Sequence, residues 1–315
     1  MALDKYEHLV NQFPAVTAEE WKSKISKDLK GEPFDKLIWH TQENIEVLPF
    51  YTNEDIQKYQ LHIPQKSTST WQIVERVEVI SIEEANKIAL HALENGATSI
   101  LFNLKCIPIS DTQIQTLIQQ ILLDIAPVYF ENFVPENKTI LEKFVPNSGI
   151  YRASIPEQHT ITEELVWALQ KGIEHSATHF HFYIRQNYFF EIAKLRAFRW
   201  LWNQICALKG LDNSIQITAE TSITNFSKED ENYNILRNTT AAMSAIIGGC
   251  DNLIINPHDI QNSSSGFGKR IARNIQHILQ HESYFSELQD AAKGTYYIEY
   301  LTYMLSKNAW EKFNA

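Results

Sequence analysis

Cysteine is scarce. Cys106, Cys206 and Cys250 are the only three in 315 residues, far apart and without a Cys-x-x-Cys pair. That excludes a disulfide framework and a cysteine-built zinc site, and it fits a reducing compartment. Long apolar runs are missing too. No stretch reaches the ~18 residues that mark a membrane-spanning helix. The opening Met-Ala-Leu-Asp-Lys-Tyr-Glu-His is charged from the start and does not read as a signal peptide. The expectation is a cytoplasmic protein. Positive charge is in deficit, with 28 Lys and Arg against 38 Asp and Glu, a net charge of -10. Nucleic acid and anionic membrane are therefore set aside as partners, because clustered cations hold both. Hydrophobic residues reach 44 %, enough for a sizeable core, so wholesale disorder is excluded.

Familiar catalytic motifs are also lacking. Ser263-Ser-Ser-Gly-Phe-Gly-Lys-Arg270 looks like a phosphate loop, but Ser263 stands where that loop needs Gly and Arg270 where it needs Ser or Thr. A serine-capped helix start is the plainer reading. His281-Glu-Ser-Tyr-Phe285 lacks the second histidine of a zinc-protease helix. No Gly-x-Ser-x-Gly elbow and no Ser-His-Asp arrangement stands out.

What is present falls into two regimes. Residues 1–65 are mixed and polar, and read as an arm carrying one helix. Thr17 and Glu20 form a capping box, Trp21, Ile25 and Leu29 share a face, and Gly31 stops the helix. Ile45–Tyr51 reads as extended. Residues 66–315 alternate short apolar runs with amphipathic helical patterns, the pattern of an α/β domain with parallel strands. Strands are predicted at 71–77, 99–104, 127–130, 149–153, 179–184, 215–221 and 253–256. Helices are predicted at 82–95, 112–123, 161–174, 188–208, 233–247 and 269–281. Seven strands with intervening helices point to a TIM-type (β/α)8 barrel, with an open doubly wound sheet as the alternative.

His179 and His181 are two apart on a predicted strand, so they share one face with Tyr183. Such a pair can bind metal, and His175 and Asp259 lie within reach in sequence. No known zinc spacing results, and hydrogen-bonded barrel histidines are the plainer reading. No metal is expected. The aromatic stretches Tyr188–Phe190 and Phe198–Trp202 read as core or interface.

Four stretches carry a resemblance. Phe189-Phe-Glu-Ile-Ala-Lys-Leu-Arg-Ala197 with Arg199-Trp-Leu-Trp202, Arg237–Gly249, Arg270–Gln276 with Leu279 and Glu282, and Gly294–Thr302 with Ala309-Trp310 resemble helix motifs of the methylmalonyl-CoA mutase family. Trp21, Asp28–Gly31, Pro49–Tyr51, Thr70–Ile73 and Ala85-Asn86 are similar to the same family. The resemblance implies a TIM-type barrel that takes an acyl-CoA along its axis. It implies a separate cobalamin domain over the barrel mouth, and a radical rearrangement of methylmalonyl-CoA to succinyl-CoA. It also implies a large catalytic subunit paired with a related small one.

The sequence departs from the catalytic pattern of that family. The Asp-x-His-x-x-Gly motif whose histidine ligates cobalt is missing, so no cobalamin domain is expected and no cofactor bound by this chain alone. Tyr151 is kept but Arg152 stands where the catalytic histidine belongs. His179 replaces an anion-binding Arg, Glu220 replaces a neutral Gln, and Ile260 replaces a Glu, while Asn256 and Asp259 remain. Tyr151, Arg152, His179, His181, Glu220, Asn256 and Ile260 therefore read as degenerate substrate-site positions, with no catalytic residue among them. His179, His181 and Tyr183 are expected to plug the axis. The expectation is a non-catalytic, small-subunit-like barrel. It would support a large catalytic subunit in a heterodimer, or form a homodimer, with adenosylcobalamin in the complex and acyl-CoA as a candidate ligand. The alternative is an active acyl-CoA mutase barrel whose cobalamin domain is on another chain or removed.

Overall fold

The computed structural model describes residues 16–59, 61–146, 160–175, 177–211, 215–224, 226–262 and 265–315. The chain divides into two units at residue 60, a few residues before the expected boundary at 65.

In the first unit, helix α1 (Ala18–Asp28) opens on the expected capping box. Thr17 N–H donates to Glu20 Oε2 at 2.8 Å, and Glu20 N–H donates to Thr17 Oγ1 at 3.2 Å. The chain leaves the helix through Gly31, whose φ of +101° is open to glycine at little cost. Trp21 stacks on Phe50 with centroids 4.6 Å apart. A 3-10 turn (Phe34–Leu37), two short antiparallel strands, β1 (Trp39–His40) and β2 (Glu46–Val47), and the single turn α2 (Asn53–Ile56) follow among the described residues.

The second unit carries, in order, β3 (Gln72–Glu78), α3 (Ile82–Glu94), β4 (Ser99–Asn103), α4 (Asp111–Leu117), β5 (Val128–Glu131), α5 (Asn137–Phe144), α6 (Ile161–His175), β6 (His179–Ile184), α7 (Tyr188–Lys209), β7 (Gln216–Thr221), α8 (Tyr233–Ile247), β8 (Asn252–Ile254), α9 (Gly266–His277) and α10 (Tyr296–Phe313). Six strands form one parallel sheet in the order β5-β4-β3-β8-β7-β6. The first strand of this unit pairs with its last, Gln72 beside Asn252, and the others follow in chain order on either side. This is the neighbour order of a TIM-type barrel, curled, and among the described residues no strand pairing links β5 to β6.

Alternation along the strands sorts the core. Val77, Ile100, Phe102, Val128 and Phe130 face outward onto Ala85, Ala89, Ile114, Leu117 and Leu141 of the helices. Phe180 and Phe182 face outward onto Phe198 and Trp202 of α7. Val74, Leu101, Tyr129 and Ile254 meet in a separate cluster on the inner face.

Some boundaries differ from expectation. Helix α4 stops at Leu117, not 123, because the Asn86 side chain caps the carbonyls of Leu117 and Gln119, each at 2.9 Å. Helix α9 starts at Gly266, where Ser265 caps the Gly268 N–H, and widens after His277 into a π turn, Ile278–Glu282. Helix α5 was not expected. The predicted strand at 149–153 lies outside the described residues.

Candidate functional site

Beside the apolar cluster, the inner face of the barrel carries polar side chains stacked in layers. Nearest the N-terminal ends of the strands lie Tyr129, His179, Thr218 and Asn252. The Tyr129 and His179 rings meet edge to face at 4.8 Å, across the gap between β5 and β6. His179 Nε2 lies 2.7 Å from Thr218 Oγ1, and Asn252 Nδ2 donates to that oxygen at 3.2 Å. Tyr129 O–H donates to Gln216 Oε1 at 3.0 Å. Burial, with His181 next to it, pushes the His179 imidazole down to about 3, so it is neutral.

The next layer is ionic. Arg76, on β3, donates from Nη1 and Nη2 to the two oxygens of Glu220, each at 2.6 Å. Its Nε faces Glu131 Oε1 at 2.9 Å. His181 Nε2 lies 2.9 Å from Glu220 Oε2, and Asn256 Nδ2 donates to Glu220 Oε1 at 3.0 Å. Burial alone would favour a neutral Glu220. Arg76 and His181 reverse that and hold its carboxyl well below the usual carboxylate range. Burial likewise opposes the Arg76 cation, and Glu220 and Glu131 outweigh it, raising its pKa. Above this layer the Tyr183 ring lies 5.1 Å from His181.

His179, His181, Glu220 and Asn256 are thus brought together on the axis. Ile260 sits apart, half-buried in the loop after β8. Tyr151 and Arg152 lie outside the described residues. Arg76 and Glu131 were missed from the sequence. Their one signal was a charge inside an apolar run, Ile73-Val-Glu-Arg-Val77 and Val128-Tyr-Phe-Glu131. Among the described residues no three His, Cys, Asp or Glu side chains converge on a metal position. His175 is exposed, and Asp259 accepts the Ser265 N–H at 3.0 Å.

A cavity of about 840 Å³ opens at the N-terminal ends of the strands, with Trp71, Gln72, Tyr129, His179, Trp202 and Asn252 among its walls. Its charged groups, Lys66, Arg199 and Asp251, are paired among themselves. Along β3, β5, β6 and β7 the ionic layer lies deeper than the residues that line this cavity.

Four cations of the motif helices, Lys194, Arg196, Arg199 and Arg273, serve internal ion pairs. Buried Lys194 meets Glu191, Glu164 at 3.1 Å and the Tyr183 carbonyl at 2.6 Å. Arg196 holds Asp290, and Glu299 at 2.8 Å. Arg199 holds Asp251 at 2.9 Å, and Arg273 holds Glu75 at 2.9 Å. These pairs fasten α7 to α6, α10 and the start of β8, and α9 to β3.

Residues 169–315 match the sequence model of the family described as methylmalonyl-CoA mutase. The methylmalonyl-CoA mutase small subunit of Porphyromonas gingivalis is 31 % identical over 99 % of this chain and 64 % of its own length. The small subunit of Propionibacterium freudenreichii subsp. shermanii is 25 % identical over 97 % of this chain and 62 % of its own. A probable small subunit from Mycobacterium tuberculosis is 36 % identical over 40 % of this chain. The chain spans less than two thirds of the length of these relatives.

Proposed function

The chain belongs to the methylmalonyl-CoA mutase family, and from that premise we propose that it is the non-catalytic, small-subunit-like barrel of an adenosylcobalamin-dependent mutase. In this reading it acts in the cytoplasm, pairs with a large catalytic subunit and stabilises it. The large subunit isomerises methylmalonyl-CoA to succinyl-CoA.

The observation that carries the reading is the ionic layer of Arg76, Glu131, His181 and Glu220. An acyl-CoA barrel needs a free axis lined by groups that await an anion. Among the described residues, the Arg76 guanidinium on the axis is already bound to two carboxylates. Glu220 would also repel an acidic substrate. The described histidines on the axis do not fit a cobalamin ligand either. His179 and His181 are both buried and committed to Thr218 and Glu220.

The rival reading, a barrel that binds acyl-CoA itself, has one observation in its favour, the cavity at the N-terminal ends of the strands. Tyr129, His179 and Asn252 line that cavity, and the ionic layer lies further along the axis than these residues.

Co-expression with a large mutase subunit tests the proposal. The two chains are expected to co-purify, and the complex to show mutase activity that a variant of the large subunit's cobalt-ligating histidine abolishes. Failure to co-purify overturns the partner role. Titration of the isolated chain with methylmalonyl-CoA should give no heat. Micromolar binding would overturn the non-catalytic reading and favour its rival.

A further inference from the structure

Glu220 is held in the manner of a bound ligand rather than of one partner in a simple ion pair. Each of its oxygens has two contacts from other elements. Oε1 accepts from Arg76 Nη1 at 2.6 Å and from Asn256 Nδ2 at 3.0 Å. Oε2 accepts from Arg76 Nη2 at 2.6 Å and faces His181 Nε2 at 2.9 Å. The contacts come from β3, from β6 and from the residue two beyond the end of β8. Only its own two methylenes tether the carboxylate to β7. The two parallel guanidinium contacts are the fork geometry by which arginine recognises a planar carboxylate. Glu131 engages the other edge of the guanidinium, through Nε at 2.9 Å, and its reach to Nη2 is longer, at 3.4 Å. The Nη1–Nη2 edge therefore belongs to Glu220.

We propose that the barrel axis holds a carboxylate-receptor site formed by Arg76, His181 and Asn256, and that Glu220 fills it in cis. The ligand class is a small monocarboxylate, the size of formate or acetate. The barrel is its own ligand, and in the wild-type chain the site is closed to any other. The inference rests on the reading above only in taking the axis as closed to substrate. Its test needs no partner subunit, so the two can fail separately.

The experiment is chemical rescue of Glu220→Ala in the full-length chain. Removing the side chain empties the receptor and leaves room for a small acid. Thermal unfolding is followed in sodium formate, sodium acetate and sodium chloride at matched ionic strength. The variant is expected to melt several degrees below wild type in chloride. Formate or acetate should raise its Tm saturably, by mass action on the native state. Wild type should show no carboxylate-specific rise, and the double variant Glu220→Ala/Arg76→Met should lose the rescue. An equal rise in wild type, or rescue that persists without Arg76, overturns the proposal. So does no rescue at all, which would mean that Glu131 alone satisfies the guanidinium. If Glu220→Ala does not accumulate as folded protein, its refolding from urea in formate and in chloride gives the same reading. Higher recovery in formate supports the receptor, and equal failure in both salts overturns it.

Discussion

A histidine that stays neutral inside a barrel makes the fold sensitive to acid. His179 is pushed down to about 3 by burial and by neighbouring His181, against an ordinary value of 6.5. Between those limits the unfolded chain takes up a proton that the native chain refuses. Stability therefore falls as pH drops from about 6.5 toward 3, by up to ~1.4 kcal/mol per pH unit for this one group. Replacing His179 by Gln should remove that slope while keeping a polar contact for Thr218. Urea unfolding of both proteins between pH 4 and 7 checks it; parallel pH profiles would refute the assignment. Arg76 should be less replaceable. Arg76→Met leaves Glu220 and Glu131 buried without their shared cation, and removing one partner of such a pair costs about 3–5 kcal/mol. Urea midpoints at pH 7 read that loss. Little of this layer was legible beforehand. Glu220 and Asn256 stood out through the family resemblance, and His181 through its two-residue spacing from His179 on one strand face. Arg76 and Glu131 did not, because partners 55 and 144 residues apart share no spacing that a sequence displays.

At the scale of elements, helix termini show how far local chemistry reaches. The capping box of α1 was readable because both partners lie within four residues. The end of α4 was not, because the group that caps it, Asn86, comes from another helix. Helix α5 was hidden by length, two turns in a polar stretch, Asn-Lys-Thr-Ile-Leu-Glu-Lys-Phe, without a side-chain N-cap. The start of α9 supports a sharper test. A Cβ on Gly268 would lie 2.0 Å from Asp259 Oδ1, while one on Gly266 meets nothing within 4 Å. Gly268→Ala must push Asp259 away from the Ser265 N–H, and overpacking of that kind costs about 1–3 kcal/mol. Gly266→Ala should be neutral within ~0.5 kcal/mol or mildly stabilising, since alanine favours the helix. Thermal melts of the pair decide it; equal effects would show that contact with Asp259 is not what keeps position 268 glycine.

Over the whole molecule, the parallel alternation of strands and helices was readable because buried strands and amphipathic helices differ in period. The TIM-type barrel was expected from the strand count and the family resemblance, and the pairing of β3 with β8, which no local pattern reports, decides it over the open doubly wound sheet. The two-unit division makes a final prediction. All six parallel strands, the ionic layer and the ion pairs of α6, α7, α9 and α10 lie within residues 61–315. Residues 16–59 contribute none of these, and within them Trp21 and Trp39 remain about half exposed. Burying a large apolar side chain is worth ~1.5–3 kcal/mol. A few such residues together can support a specific contact once association entropy is subtracted. Deleting residues 1–60 should therefore leave a cooperatively melting barrel and abolish co-purification with a large mutase subunit. If instead the truncated chain loses several kcal/mol in urea, the arm belongs to this barrel's own core. If the complex forms unchanged without those residues, the arm has no part in holding the partner, and the contact must be sought on the barrel.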